Sequence, residues 1–431
     1  MRSRALPGKD LVPLAVNTNW PIYVGRDALP NLVRYCDDQQ LTRFTLVADQ
    51  NTYPVLGQAV AEALKTHGFD LNTVILRGHE IIADEHYLMQ VLLRASNEER
   101  VYLAVGSGTI TDITRFVSHR TRASFISIPT APSVDGFTSP GAPLVIARLK
   151  RTFPAQPPIA VFADLATLMT APRRLVAAGF GDILGKYTSL ADWRLGQLLW
   201  NEPYSETVAQ RTRKALQICM NHADGIGEAS EEGILSLMNA LLDSGLCMLE
   251  FGNSRPAAGA EHHLSHCLEM KLLRENRPAI LHGAKVGVSC ILMAKHFERV
   301  RQLTRQQVAA RLRAAALPDR AQEIQRIKTA YGPVAEQIFV EHAPFLDISE
   351  PAYDQLKRTI LDRWADVLEI ASTVPKSVDL VALARKAGGP VNAEMLGIGE
   401  DEVAFGLDYS HYLRNRFTIL KLSRILGIQQ D

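Results

Sequence analysis

The histidines are spread unevenly along the chain, and their placing is the first sign of chemistry. Four of the twelve, His262, His263, His266 and His282, fall between Glu261 and His282. His262 and His266 stand at i and i+4, a spacing that puts two imidazoles on one helix face. His282 follows Pro278 in Leu281-His282-Gly283-Ala284-Lys285, where a new helix is expected to start. Upstream, Asp182 lies in Gly179-Phe180-Gly181-Asp182-Ile183-Leu184-Gly185-Lys186, at the expected start of a helix that it either caps or leaves free to bind a ligand. One carboxylate with two imidazoles leaves a divalent ion at least one open position, which marks a catalytic rather than a structural site. That donor set suits zinc, nickel or ferrous iron.

A second group of residues suits an anion. The expected strand Arg100–Val105 runs into Gly106-Ser107-Gly108-Thr109-Ile110, followed by a helical pattern. Glycines at a strand end let backbone N–H groups approach a phosphate, and the helix N-terminus adds partial positive charge. The third glycine of a G-x-G-x-x-G fingerprint is replaced by Thr111, so the segment reads either as a pyrophosphate cradle or as a plain strand–helix turn. Asp49 ends the run FTLVAD, where a carboxylate can accept hydrogen bonds from an adenosine ribose or simply close the next turn. It precedes the glycines, the reverse of the usual dinucleotide order. The segment Ile128-Pro129-Thr130-Ala131-Pro132-Ser133-Val134-Asp135-Gly136-Phe137-Thr138-Ser139-Pro140 is a stiff turn displaying hydroxyls and one carboxylate, either a surface loop or a ligand-facing one. A nucleotide cradle facing a Lewis-acid site suits hydride transfer at an alcohol carbon.

The elements that would carry these residues divide the chain in two. Strands are expected at Phe44–Asp49, Thr73–Arg77, Arg100–Val105, Ser124–Ile128, Pro143–Arg148 and Ile159–Phe162, with helices such as Pro54–Gly68 and Asp84–Asn97 between them. Near-continuous apolar strands alternating with helices predict a mostly parallel sheet covered on both faces. From Leu165 onward the pattern turns helical, punctuated at Pro172, Gly179–Gly181, Pro203, Pro256, Pro278, Pro318, Pro344 and Pro351. The expected architecture is an α/β nucleotide-binding domain over 1–165 and an all-α metal- and substrate-binding domain over 166–431. The hinge falls near Ala163–Thr170, and chemistry is expected in the cleft between the halves.

Composition narrows the function classes. The 431 residues are 47% apolar and 22% charged, the balance of a globular protein. With 47 Lys plus Arg against 46 Asp plus Glu, the basic excess of a nucleic-acid binder is missing. The five cysteines, Cys36, Cys219, Cys247, Cys267 and Cys290, are odd in number and widely spaced, which predicts reduced buried thiols. The apolar stretch Leu11–Val16 contains Pro13 and is shorter than a secretory h-region of about 7–15 residues. No run approaches the ~18 apolar residues of a membrane span. A soluble, cytoplasmic protein is expected.

The segments VGSGTITDITRF, SIPTAPSVDGFTSPGAPL, APRRLVAAGFGDILGKYTSLADW, SRPAAGAEHHLSHCLEM and LHGAKVGV together resemble the bacterial branch of the sn-glycerol-1-phosphate dehydrogenases. That family belongs to the iron-containing alcohol dehydrogenase and dehydroquinate synthase superfamily. The resemblance covers roughly residues 15–300 and implies interconversion of dihydroxyacetone phosphate and sn-glycerol 1-phosphate. It implies a dinucleotide on Gly106, Ser107, Gly108, Thr109 and Ile110, on Thr130, Ala131, Pro132 and Ser133, and on Ser139. Asp49 stands at the ribose position, favouring NAD over NADP because a carboxylate repels a 2′-phosphate. One divalent ion per subunit, nickel or zinc with iron as an alternative, would be held by Asp182, His262 and His282. Asp135, Asp182 and His266 correspond to substrate-contacting positions, with His266 relaying a proton or holding a hydroxyl. Archaeal members tend to carry Lys and His where this chain has Thr109 and Val134. Arg255, Lys186 and Lys285 are the candidate phosphate cations by proximity to the motifs, and each also reads as a surface charge. A homo-oligomer, with a dimer favoured, is expected, without nucleic acid or membrane insertion. The competing readings are a glycerol or other polyol dehydrogenase, a carbocycle-forming synthase and a non-catalytic binding protein on the same scaffold.

Overall fold

Runs rich in Val, Ile and Phe become strands in the computed structural model, which describes residues 20–95, 98–147 and 149–428. Its strands are β1 (Ile22–Gly25), β2 (Arg43–Asp49), β3 (Asp70–Leu76), β4 (Val101–Gly106), β5 (Phe125–Pro129), β6 (Gly141–Ile146), β7 (Leu149–Pro154) and β8 (Ala160–Asp164). Six of them form one parallel sheet in the order β1-β8-β5-β4-β2-β3. Phe44, Leu46, Val47, Leu103, Val105 and Ile126 are fully buried because helices cover both faces, so the strands read as unbroken apolar runs. The expected sheet is present.

Three expectations at the element level are corrected. The run beginning at Pro143 does not join the parallel sheet: β6 and β7 form a separate antiparallel hairpin, with Ile146 opposite Leu149. A parallel partner needs a crossover of a dozen or more residues, which so short a connection cannot supply. β1 was not among the expected strands; it is four residues long and pairs with β8, the last strand, so only long-range contact defines it. The helix expected over Asp84–Asn97 covers Glu85–Leu92, capped by the Asp84 side chain accepting from the Tyr87 N–H. Asn97, Arg148 and the stretch Leu11–Val16 lie outside the described residues.

Beyond β8, Asp164 accepts from the Thr167 N–H at 2.7 Å and starts the first helix, Leu165–Met169. Among the described residues every later element is helical, out to Ile419–Ile425. Two punctuation marks are not breaks. Gly179 and Gly181 lie inside the helix Arg173–Leu184, and Pro344 lies inside Ala335–Leu346. Asp182 therefore sits in the last turn of its helix, not at the start, and the capping alternative falls. The helix Glu231–Phe251 has the length and apolarity of a membrane span, yet Leu237, Met238, Leu241 and Leu242 are fully buried in the helical core. All five cysteines are free and buried.

Candidate active site

Backbone-to-backbone packing brings the acid and one imidazole together. A Cβ on Gly181 would lie 2.3 Å from the Gly283 carbonyl oxygen, and one on Gly283 would lie 1.8 Å from that of Ala178. Only glycines let the helices Arg173–Leu184 and His282–Gln302 approach this closely, and the approach places Asp182 beside His282. His262 arrives on a third helix, Ala260–Arg274. Its start is fixed by Asp192, whose Oδ2 accepts from the Ala260 N–H at 2.7 Å while Oδ1 accepts from the Ile419 N–H at 2.6 Å. The far end of the chain thus anchors the helix that carries His262.

Asp182, His262 and His282 each offer one ligand atom, and these atoms lie within 4.8 Å of one another. Asp182 Oδ1 is 3.5 Å from His262 Nε2, 3.9 Å from His282 Nε2 and 3.6 Å from Lys186 Nζ. That oxygen is buried with no hydrogen-bond donor among the described residues, whereas Oδ2 accepts from the Asp135 N–H at 3.0 Å. An orphaned buried carboxylate oxygen facing two imidazole nitrogens fits a divalent cation in its donor chemistry. Burial opposes ionisation of Asp182, but Lys186 and the two histidines outweigh it and hold the carboxyl well below the usual range. Burial first, then His262, Lys150 and His266, outweigh Asp182 and hold the His282 pKa well below the usual imidazole range, keeping the ring neutral and its lone pair available.

Glu261 orients His262 from behind. Its Oε1 lies 2.8 Å from His262 Nδ1 and accepts from the Gly259 N–H at 2.6 Å, while Oε2 accepts from the Thr188 hydroxyl at 2.7 Å. A carboxylate on Nδ1 sets the tautomer that leaves Nε2 free for a metal. The sequence reading gave Glu261 no role, although it adjoins His262. His263 points elsewhere: both ring nitrogens are buried without a hydrogen-bond partner among the described residues.

The Pro-rich segment faces this centre. Asp135 begins a short helical turn, Asp135–Thr138, and its Oδ2 is 2.7 Å from Lys186 Nζ and accepts from the Ser244 hydroxyl at 2.8 Å. His266 stands beside the triad, its ring centroid 6.1 Å from His262 and 5.3 Å from His282. Its Nδ1 is 3.2 Å from Glu269 Oε2, and burial brings its pKa down to about 4. The side chains of His266 and His282 remain 28% and 23% exposed while Asp182 is sealed, so the centre opens on their side.

The expected nucleotide residues share one sheet edge. β2, β4 and β5 are neighbours, so Asp49, Gly106 and Thr130 follow three adjacent carboxyl ends. This adjacency explains why the carboxylate precedes the glycines in sequence: its strand lies beside theirs regardless of order. The helix Gly108–Arg120 starts directly after Ser107, and a Cβ on Gly108 would lie 2.8 Å from Val134. Thr109 is partly exposed at the helix start, whereas the Ile110 side chain is buried, leaving its backbone as the group for a ligand. Thr130, Ala131, Pro132 and Ser133 are buried against the helical half, where Gly179 makes room for the Pro132 carbonyl. Asp49 Oδ1 accepts from the Asn51 and Thr52 N–H groups, both at 2.8 Å, so it closes a turn as well as standing at the edge. Ser139 spends its hydroxyl on the carbonyls of Gly136 and Gly141.

The candidate phosphate cations separate. Arg255 is held by Glu202 at 3.0 Å and by the Asn415 carbonyl. Lys186 is buried between Asp135 and Asp182 and donates to the Ala257 carbonyl at 3.0 Å, so it is neither a surface charge nor free for phosphate. Lys285 is also buried, next to Glu269. Lys150, on β7, reaches the same Glu269 at 2.9 Å and escaped the sequence reading, since nothing local in the hairpin hints at that contact.

The sequence profile of the iron-containing alcohol dehydrogenases matches residues 23–172. A protein of Geobacillus stearothermophilus called glycerol-1-phosphate dehydrogenase [NAD(P)+] is 39% identical over 92% of this chain and 90% of its own. One of the same description from Bacillus subtilis is 37% identical over 96% of this chain and 93% of its own. Among solved structures, an NADH-dependent butanol dehydrogenase from Thermotoga maritima superposes with a TM-score of 0.60 at 14% identity, covering 96% of this chain and 98% of that one. At that identity the likeness concerns the fold.

Proposed function

The chain belongs to the family of NAD(P)-linked glycerol-1-phosphate dehydrogenases, and we propose that it interconverts dihydroxyacetone phosphate and sn-glycerol 1-phosphate at the Asp182–His262–His282 centre. The observation that supports this most is the convergence of those three ligand atoms from three helices, with Asp182 Oδ1 left without a donor among the described residues. Asp182, His262 and His282 would hold one divalent ion, nickel or zinc with iron as an alternative, supplying Lewis acidity at a carbonyl oxygen, while NAD supplies the hydride carrier.

The chain's own residues prepare that event. The Asp135 N–H holds Asp182 Oδ2 and so presents Oδ1 to the site. Glu261 keeps His262 in one tautomer. His266 is neutral at pH 7 and its Nδ1 is engaged by Glu269, which leaves Nε2 to accept a proton or a hydrogen bond from the substrate's alcohol. In the reduction direction the same nitrogen returns that proton. Asp135, pinned by Lys186 and Ser244, is placed to accept from a free substrate hydroxyl and fix which face of the ketone is presented. The dinucleotide is proposed to lie along the edge formed by Asp49, Gly106 to Ile110 and Thr130 to Ser133, with Ser139 shaping the loop.

We further propose a nucleotide domain over 1–165 and a catalytic helical domain over 166–431, a homodimer, and a cytoplasmic location consistent with the five free thiols. Sedimentation of the purified protein reads the subunit number, and a monomer would remove the dimer. The decisive assay follows NADH oxidation with dihydroxyacetone phosphate after loading nickel, zinc or iron, with chiral analysis of the product. Turnover with at least one metal and formation of the sn-1 ester are expected; no turnover with any metal overturns the reading. Equal turnover of dihydroxyacetone would favour the polyol dehydrogenase instead.

A further inference from the structure

Beside the three-residue centre lies a cationic pair whose charge one shared carboxylate does not balance. Lys150 Nζ and Lys285 Nζ converge on the same oxygen of Glu269, at 2.9 and 3.2 Å. Lys285 is buried, and among the described residues its ammonium finds no acceptor in good hydrogen-bond geometry, Glu269 included. Lys150 also faces Asp112, but that carboxylate is already bonded to Arg115 at 2.8 Å. Two ammonium groups on one carboxylate leave one positive charge over. A buried surplus charge is costly unless an anion joins it.

The position of the pair relative to the centre says which anion. His266 and Glu269 are i, i+3 on the helix Ala260–Arg274, and His282 and Lys285 are i, i+3 on the helix His282–Gln302. Each pair therefore occupies one face, a turn apart. The helices face each other in two rungs: His266 against His282, with rings 5.3 Å apart, then Glu269 against Lys285, at 3.2 Å. Lys150 reaches the second rung from the β6–β7 hairpin, so the nucleotide half contributes to it. In a triose phosphate one methylene and one ester oxygen separate the ketone carbon from phosphorus, a span on the order of the ~5 Å rise of a helical turn.

We propose that Lys150 and Lys285 form the subsite for the phosphate of a phosphorylated ketose, with Glu269 Oε1 holding the two ammoniums in place and sharing them with the phosphate when substrate enters, while Oε2 stays on His266. The inference rests on the dehydrogenase reading of the neighbouring centre. It also explains selectivity: an unphosphorylated polyol would leave the surplus charge unanswered.

The test uses the full-length protein and inorganic phosphate as the probe. Phosphate should raise the melting temperature of the wild type, and titration should give its dissociation constant. Lys150→Ala and Lys285→Met should each weaken phosphate by about 10- to 100-fold, the loss of one charged hydrogen bond. Glu269→Gln should tighten it. In turnover, the ratio of kcat/KM for dihydroxyacetone phosphate over dihydroxyacetone should fall by a similar factor in the lysine variants. Lys150 lies on a hairpin and is partly exposed, so Lys150→Ala decides the matter even where Lys285→Met fails to fold. An unchanged phosphate constant in Lys150→Ala, or weaker binding in Glu269→Gln, overturns the subsite. If the wild type turns over no dihydroxyacetone phosphate with any metal, the dehydrogenase reading falls, and the phosphate titration still decides the subsite alone.

Discussion

Asp182 has two oxygens with separate tasks, one fastened by the Asp135 N–H and one facing two imidazoles. Glu261 does for His262 what that N–H does for Asp182. Replacing Glu261 with Gln removes the charge that fixes the Nδ1–H tautomer while keeping the volume, so metal affinity should drop by about 10- to 100-fold. Chelator competition measures it, and an unchanged affinity would show that the tautomer needs no such support. Asp49 carries a second prediction. Asp49→Gly should raise kcat/KM with NADPH relative to NADH, because the carboxylate that repels a 2′-phosphate is gone; an unaltered ratio would take Asp49 out of the ribose site. The candidate donors Asp182, His262 and His282 could be named from the sequence only through the family resemblance, since the i, i+4 spacing alone pairs His262 with His266. Lys150 and Glu269 could not, since they meet only where the β6–β7 hairpin packs on the helix Ala260–Arg274.

The glycines show how an element's surface governs chemistry. Gly283 meets the Ala178 carbonyl so closely that a methyl group there would sit 1.8 Å from oxygen, forcing the two helices apart. Gly283→Ala should therefore lose bound metal, by separating Asp182 from His282, and destabilise the fold by roughly 1–3 kcal/mol through overpacking. Gly252→Ala is the control: its φ of +81° makes the substitution strained by about 1 kcal/mol, yet open space surrounds the site, so metal content should hold. Equal metal retention in both variants would mean that the contact does not position the ligands. Element type was largely legible, since the strands β2, β4 and β5 announce themselves as apolar β-branched runs. What misled was glycine itself: inside Arg173–Leu184 it marks close approach, not a break, and a single sequence cannot distinguish the two.

Across the whole molecule, the Pro-rich loop and the hairpin join the halves, through Thr138 donating to the Leu242 carbonyl at 2.9 Å and Lys150 meeting Glu269. The helical half encloses several histidines kept neutral by burial. His263, His342 and His411 are held below the usual imidazole range, first by desolvation and then by Arg and Lys neighbours, and His296 is brought down to about 4. In the unfolded chain these rings take up protons below about pH 6.5, whereas in the folded one they do not. The unfolded state therefore binds more protons between pH 6.5 and 4, and stability rises with pH through that window and is lost on acidification. His296 alone accounts for on the order of 3 kcal/mol by pH 4. His262, raised by Asp182 and Glu261 against its own desolvation, opposes the trend, as do Asp112, pushed up to about 7 by burial, and Asp192, raised well above the carboxylate range by burial. The lowered carboxyls of Asp182, Glu261 and Glu269 act with the buried rings. Urea midpoints should fall steadily from pH 7 to 4.5 in metal-free and metal-loaded protein alike, which separates this effect from loss of the ion. A midpoint that stays level in the metal-free form would mean that the buried histidines accept protons without unfolding, and that the helical half is looser than its packing indicates.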